Sequence, residues 1–158
     1  MTSRIAAGGM LQFRDLCLIG VMSAPDRPGV GAAIFRALGQ AEINAQFIVQ
    51  CIDLRNRSHV LFCVAEEDAE ATLAQITPVA EALEAEQVRE EHHAALVAVF
   101  GPDFRVRPGI ASAAFGALAR RGINILAIST SISTVSCVIH DRDYALAEEA
   151  LREVFALP

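Results

Sequence analysis

Apolar residues recur along this chain with two spacings, and each spacing predicts a different kind of element. Short apolar runs rich in valine and isoleucine, such as residues 17–24 and 95–101, are typical of strands. After each of these runs, apolar positions recur every three or four residues, which predicts a helix. Further strands are predicted at 45–53, 58–65, 123–130 and 133–140, and further helices at 66–77 and 142–155. The order strand, helix, strand, strand, helix therefore occurs twice.

The two halves of the chain are also similar residue by residue. A shift of 80 positions superposes Arg27-Pro28-Gly29 on Arg107-Pro108-Gly109, and Asn44 on Asn124. An ungapped internal match of this kind indicates a tandem repeat. Each copy has the size of a small α+β module.

The predicted fold class is α+β, with two ferredoxin-like βαββαβ modules in tandem at residues 12–90 and 91–158. In the first copy, Pro78 is expected to break the second helix, and residues 87–92 are a candidate closing strand. The second copy has no obvious closing strand after its last helix. It either borrows residues 87–92, or the two modules share strands.

A Pro-Gly step precedes the first helix of each copy and allows two interpretations. Proline at the first helical position fixes φ, and glycine eases the tight passage from strand to helix, so the step can be a helix starter only. It can also leave the first-turn N–H groups of Val30 and Gly31 open to a ligand carboxylate. The strand that begins at Ile43-Asn44 would then hold the other end of the ligand. Because the whole arrangement is repeated, we favour a binding site for an α-amino acid.

The composition of the chain argues against several classes of function. The chain is 53% hydrophobic with a formal net charge of −6 and has no basic stripe, which argues against nucleic-acid binding. It has no apolar run long enough for a membrane span and no secretory signal, so a cytoplasmic protein is expected. Its four cysteines are predicted to be buried free thiols, and His92-His93 is predicted to lie in a solvated turn. No metal and no cofactor are expected.

Four short motifs then carry a family resemblance. They are D-R-P-G at 26–29, I-V-Q at 48–50, G-I-N at 122–124 and I-S-T-S at 128–131. In these motifs, and from about residue 16 to 155, the chain resembles the tandem ACT domains of the C-terminal regulatory region of bacterial aspartokinases. The resemblance implies a non-enzymatic allosteric module that binds an amino acid, threonine or lysine, between ACT modules paired across a homodimer. No kinase domain is present in these residues. In the family such a regulatory portion occurs as the small subunit of a two-subunit kinase, as a fragment or as a separate ACT protein, and the first of these would add a kinase catalytic subunit as a partner.

The resemblance and the Pro-Gly interpretation together define the expected effector-binding residues. They are Asp26, Pro28, Gly29, Val30, Asn44, Gln46 and Gln50 in the first copy, and Pro108, Gly109, Ile110, Asn124 and Ser129 in the second. The chain departs from the family pattern at Cys51, His59 and Ile132, which stand where asparagine and two acids are usual. A desolvated ammonium group needs an anionic partner, so the second copy is poorly suited to lysine. Since Asp26 supplies a carboxylate, the first copy is predicted to be the better site.

Two other functions stay open at this stage. The first is an ACT protein that serves only in interactions and has lost effector binding. The second is a small ferredoxin-like hydrolase of acyl phosphates, which would need Arg27 and Asn44 at opposite ends of one predicted helix. A dimer is expected because a single module would expose its apolar strands, at residues 17–22 and 96–100.

Overall fold

The computed structural model describes residues 3–158, and it contains α-helices and strands in the predicted order. The strands are β1 (Ile5–Ala6), β2 (Gly9–Pro25), β3 (Phe47–Ile52), β4 (Arg57–Ala65), β5 (Gln87–Phe100), β6 (Ile125–Thr130), β7 (Thr134–His140) and β8 (Phe155–Ala156). The helices are α1 (Val30–Gln40), α2 (Ala69–Ala82), α3 (Ile110–Arg120) and α4 (Tyr144–Val154). The predicted tandem of ferredoxin-like modules is confirmed.

The chain divides into two compact units. Module 1 is Leu16–His92. Module 2 consists of His93–Pro158 together with the N-terminal segment up to Asp15. The long strands β2 and β5 each contribute residues to both units, so the units do not follow the sequence boundaries at residues 12 and 90.

In module 1, β4 lies between two antiparallel neighbours. Phe62 of β4 is opposite Ile19 of β2 on one side and Ile48 of β3 on the other. The apolar spacing of α1 buries Ile34 and Leu38 one turn apart against this sheet. The ring of Phe62 is fully buried, 5.5 Å from the ring of Phe35 in an edge-to-face arrangement. This core therefore confirms the helical period predicted for α1.

The expectation that Pro78 breaks the second helix is wrong. Helix α2 runs without interruption from Ala69 to Ala82, with Pro78 inside it. The proline removes one backbone hydrogen bond, but Ile76 and Ala80 on either side of it are buried in the module 1 core. Burial of this helix face outweighs the local cost of the proline.

In module 2, β7 takes the central place and pairs antiparallel with β5 and β6. Helices α3 and α4 bury Leu118 and Leu151 together with Ile139 of β7. Phe155 at the end of α4 is fully buried, with its ring 5.9 Å from that of Phe104.

Module 2 is completed by the N-terminal segment, whose pairing with the last strand the sequence analysis did not include. Strand β1 pairs in parallel with β8, and the N–H of Ala7 donates to the carbonyl of Ala156 at 3.1 Å. Further along, Arg14 forms a two-pronged ion pair with Asp141, both contacts being 2.9 Å. The guanidinium of Arg14 also lies 4.3 Å above the ring of Tyr144. Residues 87–92 stay in module 1, so they are not borrowed.

Three further expectations are corrected. His92 and His93 lie within strand β5 and not in a turn, although His93 has a positive φ of 55°. Cys51 is exposed on β3, whereas the other three cysteines are free and buried as predicted. The apolar strands that were to drive dimerisation, residues 17–22 and 96–100, are for the most part buried within the chain itself.

None of the helices between residues 3 and 158 is long and apolar enough to cross a membrane.

Candidate functional site

The two Pro-Gly steps have the same backbone geometry. Gly29 has φ +100° and Gly109 has φ +88°, a left-handed conformation that glycine adopts without strain. Their carbonyls accept the first bonds of the helices, from the N–H of Ala33 and Ala113, both at 2.9 Å. No side chain caps either helix, and a Cβ at either glycine would meet nothing within 4 Å. First-turn N–H groups with open space before them suit an anion.

In module 2 this helix start opens into a cavity of about 260 Å³. Gly109, Ile110 and Ala111 line it from the start of α3, and Arg107 lines it from the turn before that helix. The remaining lining is apolar in part, from Phe104, Ile132 and Val135, and hydroxyl-bearing in part, from Thr130, Ser131 and Thr134. None of these lining residues is acidic.

The cavity presents groups that can bind an anion, a cation and an apolar side chain. A carboxylate can accept hydrogen bonds from the open N–H groups of α3 and from the Arg107 guanidinium. The hydroxyls on β6 and β7 can accept from an ammonium group, and the apolar wall can cover a methyl or methylene group. An additional ammonium group, as in lysine, would lack an anionic partner there.

In module 1 the residue aligned with Thr134 is His59, which is the centre of a hydrogen-bond network. The backbone N–H of Ser23 donates to Nδ1 of His59 at 3.2 Å, so this nitrogen is unprotonated and the ring proton is on Nε2. Nε2 lies 3.0 Å from Oδ2 of Asp53. The hydrogen bond from His59, together with those from the N–H groups of Arg57 and Arg55, lowers the pKa of Asp53 to about 2.

Other polar groups of module 1 at this end of the sheet also bind one another. Nε of Arg57 donates to Oγ of Ser23 at 3.1 Å, and the same guanidinium donates to the backbone carbonyls of Ser23 and Glu84. Nε2 of Gln50 donates to Oγ of Ser58 at 2.8 Å. Gln50 is thus engaged within the module, in contrast to the open lining of the module 2 cavity.

The structure brings together only part of each predicted residue set. Asp26, Pro28 and Gly29 lie in the β2–α1 connection, and Val30 is the first residue of α1. The N–H of Asp26 donates to the carbonyl of Asn56 in the β3–β4 turn. Gln50 lies at the same end of the sheet, because the residue it binds, Ser58, is opposite Ala24 of β2. In module 2, Pro108, Gly109 and Ile110 lie at the start of α3, and the last two line the cavity.

Asn44 and Gln46 lie at the other end of module 1. The N–H of Gln46 donates to the carbonyl of Cys63, which is opposite Leu18 and far along the sheet from Ala24. Helix α1, with 11 residues, separates the two ends by about 16 Å. The hydrolase alternative fails on the same geometry, since Arg27 is paired with Glu84 at 3.6 Å and lies at the end of α1 away from Asn44.

In module 2, Asn124 likewise precedes β6 at the end far from Gly109. Ser129 does not line the cavity, but its neighbours Thr130 and Ser131 do. Sequence reasoning missed Phe104, Arg107 and Thr134 as lining residues. Arg107 was visible as the residue before the Pro-Gly step, whereas Phe104 and Thr134 become adjacent to it only through the fold.

A separate group of potential metal ligands lies within module 1. Cys17, Glu66 and His92 each place one ligand atom within 4.8 Å of the others. Burial, together with nearby carboxylates, raises the pKa of Cys17 to about 11, which favours the thiol. The hydrogen bond to Glu66 raises the pKa of His92. A hydrogen-bonded imidazole and carboxylate beside a protonated thiol account for this group without an ion.

The fold and the repeated helix start define a class of protein that comparison with known families identifies. A family model of the ACT domain matches residues 16–77 and again residues 97–155. The chain belongs to the ACT domain family, and the resemblance seen in its motifs is confirmed.

The particular relatives are aspartokinases and their regulatory subunits. The chain is 30% identical over 151 residues to the aspartokinase of Mycolicibacterium smegmatis, a match that covers 94% of this chain and 36% of that protein. Its structure superposes on the regulatory subunit of aspartate kinase from Thermus thermophilus, ligand-free form, with a TM-score of 0.85 at 27% identity, covering 95% of this chain and 99% of that one. A chain from a structure of aspartokinase alpha and beta subunits matches with a TM-score of 0.84 at 28% identity, over 94% and 97% of the two chains.

These matches delimit what the 158 residues contain. The 158 residues span about a third of the length of the curated relatives and nearly the whole of the regulatory subunits. They correspond to the regulatory ACT region, and the kinase catalytic domain of the relatives lies outside the matched part.

Proposed function

We propose that this chain is an allosteric regulatory module that binds threonine, or a neutral amino acid of similar size, in the cavity at the start of α3. The observation that carries the proposal is the cavity of about 260 Å³ itself, in which a helix N-terminus, an arginine, three hydroxyl-bearing residues and an apolar wall converge. The comparisons support a regulatory role, because the chain matches regulatory subunits of aspartate kinase over nearly their whole length.

In the proposed complex the ligand carboxylate lies at the N–H groups of α3 and beside Arg107. The hydroxyls of Thr130, Ser131 and Thr134 bind the ammonium group and the threonine hydroxyl. The side-chain methyl group packs against Ile132 and Val135. Lysine binds weakly, because no carboxylate lines the cavity to receive its side-chain ammonium group.

This proposal reverses the preference for the first copy. In module 1 the aligned hairpin residue is His59, which binds Asp53 and accepts a hydrogen bond from the backbone N–H of Ser23. A ligand that binds His59 has to break these hydrogen bonds, and each broken bond lowers its net affinity. Asp26 remains a predicted contact of a weaker site at the first Pro-Gly step.

The test is titration calorimetry with threonine, valine and lysine. Wild-type protein is expected to bind threonine and to prefer it to lysine by at least tenfold. Thr134→Leu fills the cavity with an apolar side chain, removes a hydroxyl, and is expected to weaken threonine binding at least tenfold. Thr77→Leu is the matched control, because Thr77 is exposed on α2 and its hydroxyl donates only to the Leu73 carbonyl of its own helix.

Several outcomes would contradict the proposal. Preference for lysine, or equal threonine affinity in Thr134→Leu and wild type, would remove the cavity as the effector site. If Thr134→Leu loses its folded circular-dichroism spectrum, Ser131→Leu repeats the test from an exposed position of the lining. Absence of binding for all three amino acids would favour the ACT protein that serves only in interactions.

We further propose that the chain forms a homodimer and associates with a kinase catalytic subunit. Ile48 and Ile128 occupy equivalent positions on the edge strands β3 and β6 and expose 50% and 41% of their surface. A second copy would cover them, and it would be needed to bring Asn44, Gln46 or Asn124 to a ligand at a Pro-Gly step. Light scattering is expected to show a dimer that Ile128→Asp weakens, and a strict monomer at tens of micromolar would contradict this.

A further inference from the structure

A second cavity of module 2, with a volume of about 490 Å³, is lined by three arginines. Arg4 comes from the N-terminal segment, Arg107 from the turn before the Pro-Gly step, and Arg120 from the last turn of α3. The cleft is therefore assembled from three distant parts of the sequence. Nothing in the amino-acid site requires it, although Arg107 lines both cavities.

The positive charge of this cleft exceeds the negative charge of its lining, which includes three arginines and one carboxylate. Its one acidic lining residue, Glu153, is ion-paired with Arg121. Arg4 donates to the carbonyl of Arg152 at 3.3 Å, which leaves its charge uncompensated. Among residues 3–158, no ion pair or hydrogen bond is found for the guanidinium groups of Arg107 and Arg120. The concentration of cations is unusual in a chain whose formal net charge is −6.

Helix α3 is shaped to place Arg120 in the cleft. Ala113, Gly116 and Arg120 share one stripe of the helix, because they are spaced three and four residues apart. Gly116 carries no side chain, and a Cβ at that position would lie 3.3 Å from Nη1 of Arg120. The Arg120 side chain thus folds back over Gly116 toward the small side chain of Ala113, which also lines the cleft.

Module 1 lacks each of these features at the aligned positions. Arg36 stands in place of Gly116 and Gln40 in place of Arg120. Arg27, which aligns with Arg107, is bound by the carboxylate of Glu84 and the carbonyl of Ala82. The arginine cleft is therefore specific to module 2 and does not follow from the shared fold.

We propose that the arginine cleft binds a small multivalent anion, a molecule with two or more phosphate or carboxylate groups. Guanidinium groups present planar paired donors that match both kinds of anionic group. Three of them without a carboxylate partner repel one another, and an anion with several charges removes that repulsion. The cleft adjoins the threonine cavity and shares Arg107 with it, whereas Arg4 and Arg120 line the cleft alone. The proposed anion binding therefore does not require a bound amino acid.

The experiment is titration calorimetry without amino acid, at constant ionic strength, with pyrophosphate in one arm and citrate in the other. Saturable binding of at least one anion is expected, and the stronger of the two identifies phosphate or carboxylate as the preferred group. Arg120→Gln is expected to weaken binding about tenfold, the loss typical of one charge-assisted contact. Arg120→Lys keeps the charge but loses the paired donors, and an intermediate loss is expected.

The matched control is Arg36→Gln, which removes the same charge from the equivalent helix of module 1. It is expected to leave anion affinity within twofold of wild type. Equal losses in Arg36→Gln and Arg120→Gln would show only general electrostatic attraction and overturn the proposal. Absence of saturable binding of both anions to folded wild-type protein would overturn it as well. Because threonine is absent from these titrations, failure of the amino-acid proposal would leave the result intact.

Discussion

Modules 1 and 2 share a helix start and differ in the hairpin beside it. In module 1 the turn between β3 and β4 comprises residues 53–56, and its Asp53 binds His59. In module 2 the turn between β6 and β7 comprises residues 131–133, and the small Thr134 replaces the imidazole. In module 1 side chains of the hairpin bind each other, whereas in module 2 the hairpin lines a cavity. The repeated backbone thus supplies the same helix start twice, and the hairpins supply different side chains beside it.

The two cores differ in a comparable way. At one aligned position of the central strand, module 1 has the fully buried Phe62 and module 2 has Cys137. Module 2 fills its core instead with Phe155, which follows its last helix. Equivalent strands therefore support cores that are packed from different parts of the sequence.

The largest expected effect tests this difference in packing. Phe62→Ala should lower the free energy of unfolding by about 3–5 kcal/mol, because it leaves a cavity in a close-packed core. Cys137→Ala at the aligned position removes one sulfur atom and should cost about 1 kcal/mol. Urea denaturation followed by circular dichroism measures both. Equal losses would show that the two cores are not packed differently at this position.

A smaller effect is expected at the shared helix start. Gly29→Ala introduces no steric contact, but its φ of +100° should cost about 1–2 kcal/mol of stability. Gly31→Ala, two residues further and inside α1, should leave stability unchanged or raise it by up to about 1 kcal/mol. The backbone strain also means that a bulky residue at Gly29 would not leave the fold unperturbed. Thermal unfolding of both variants at equal protein concentration tests this prediction. Equal melting temperatures of Gly29→Ala and Gly31→Ala would argue against backbone strain at Gly29.

Asp53, in the β3–β4 turn of module 1, should make the stability of that module depend on pH in the acid range. The folded-state pKa of Asp53 is about 2, below its ordinary value of 3.8. The stabilisation of the folded state by ionised Asp53 is therefore complete above about pH 4 and is lost as pH falls from there toward 2. Asp53→Asn should destabilise the protein at pH 5 and differ less from wild type at pH 2. Melting temperatures recorded across this range would contradict the prediction if the difference stayed constant.

The smallest effect is expected at Asp26. It distinguishes the proposed site in module 2 from the site in module 1 that the sequence favoured. Asp26→Asn should leave threonine affinity within twofold of wild type, because the proposed cavity lies in module 2. A first-copy site would instead lose at least tenfold. Asp103→Asn is the control, since this carboxylate is in the turn before the second Pro-Gly step but is not part of the cavity lining. Calorimetry with threonine separates the two interpretations.

Much of the fold could be predicted because its determinants are local. The periodic burial of Val30, Ile34 and Leu38 in α1 can be read directly from the sequence. Pro78 was misjudged because the burial of neighbouring residues, which a local rule does not include, keeps α2 continuous. The pairing of β1 with β8 rests on two residues at each end of the chain, and no local pattern indicates it.

Of the candidate site, the repeated helix start could be predicted from the sequence, whereas the cavity beside it could not. Gly29 and Gly109 were identified because a Pro-Gly step precedes each helix, and in the structure both adopt the left-handed conformation that favours glycine. The cavity depends on the length of the β6–β7 turn and on side chains that meet only in the folded module. Asn44 was included because it is repeated, yet its distance from Gly29 follows from the length of α1, which separates them.

The parallel pairing of Ile5–Ala6 with Phe155–Ala156 imposes an order on synthesis. Module 1 is continuous from Leu16 to His92, so it can fold as soon as those residues have left the ribosome. Strand β1 must wait, unpaired, until its partner strand β8, about 150 residues further along the chain, has been translated. Closing such a long loop slows assembly, although it adds little to the equilibrium cost. Newly made chains should therefore pass through a stage in which module 1 is native and module 2 is unfinished.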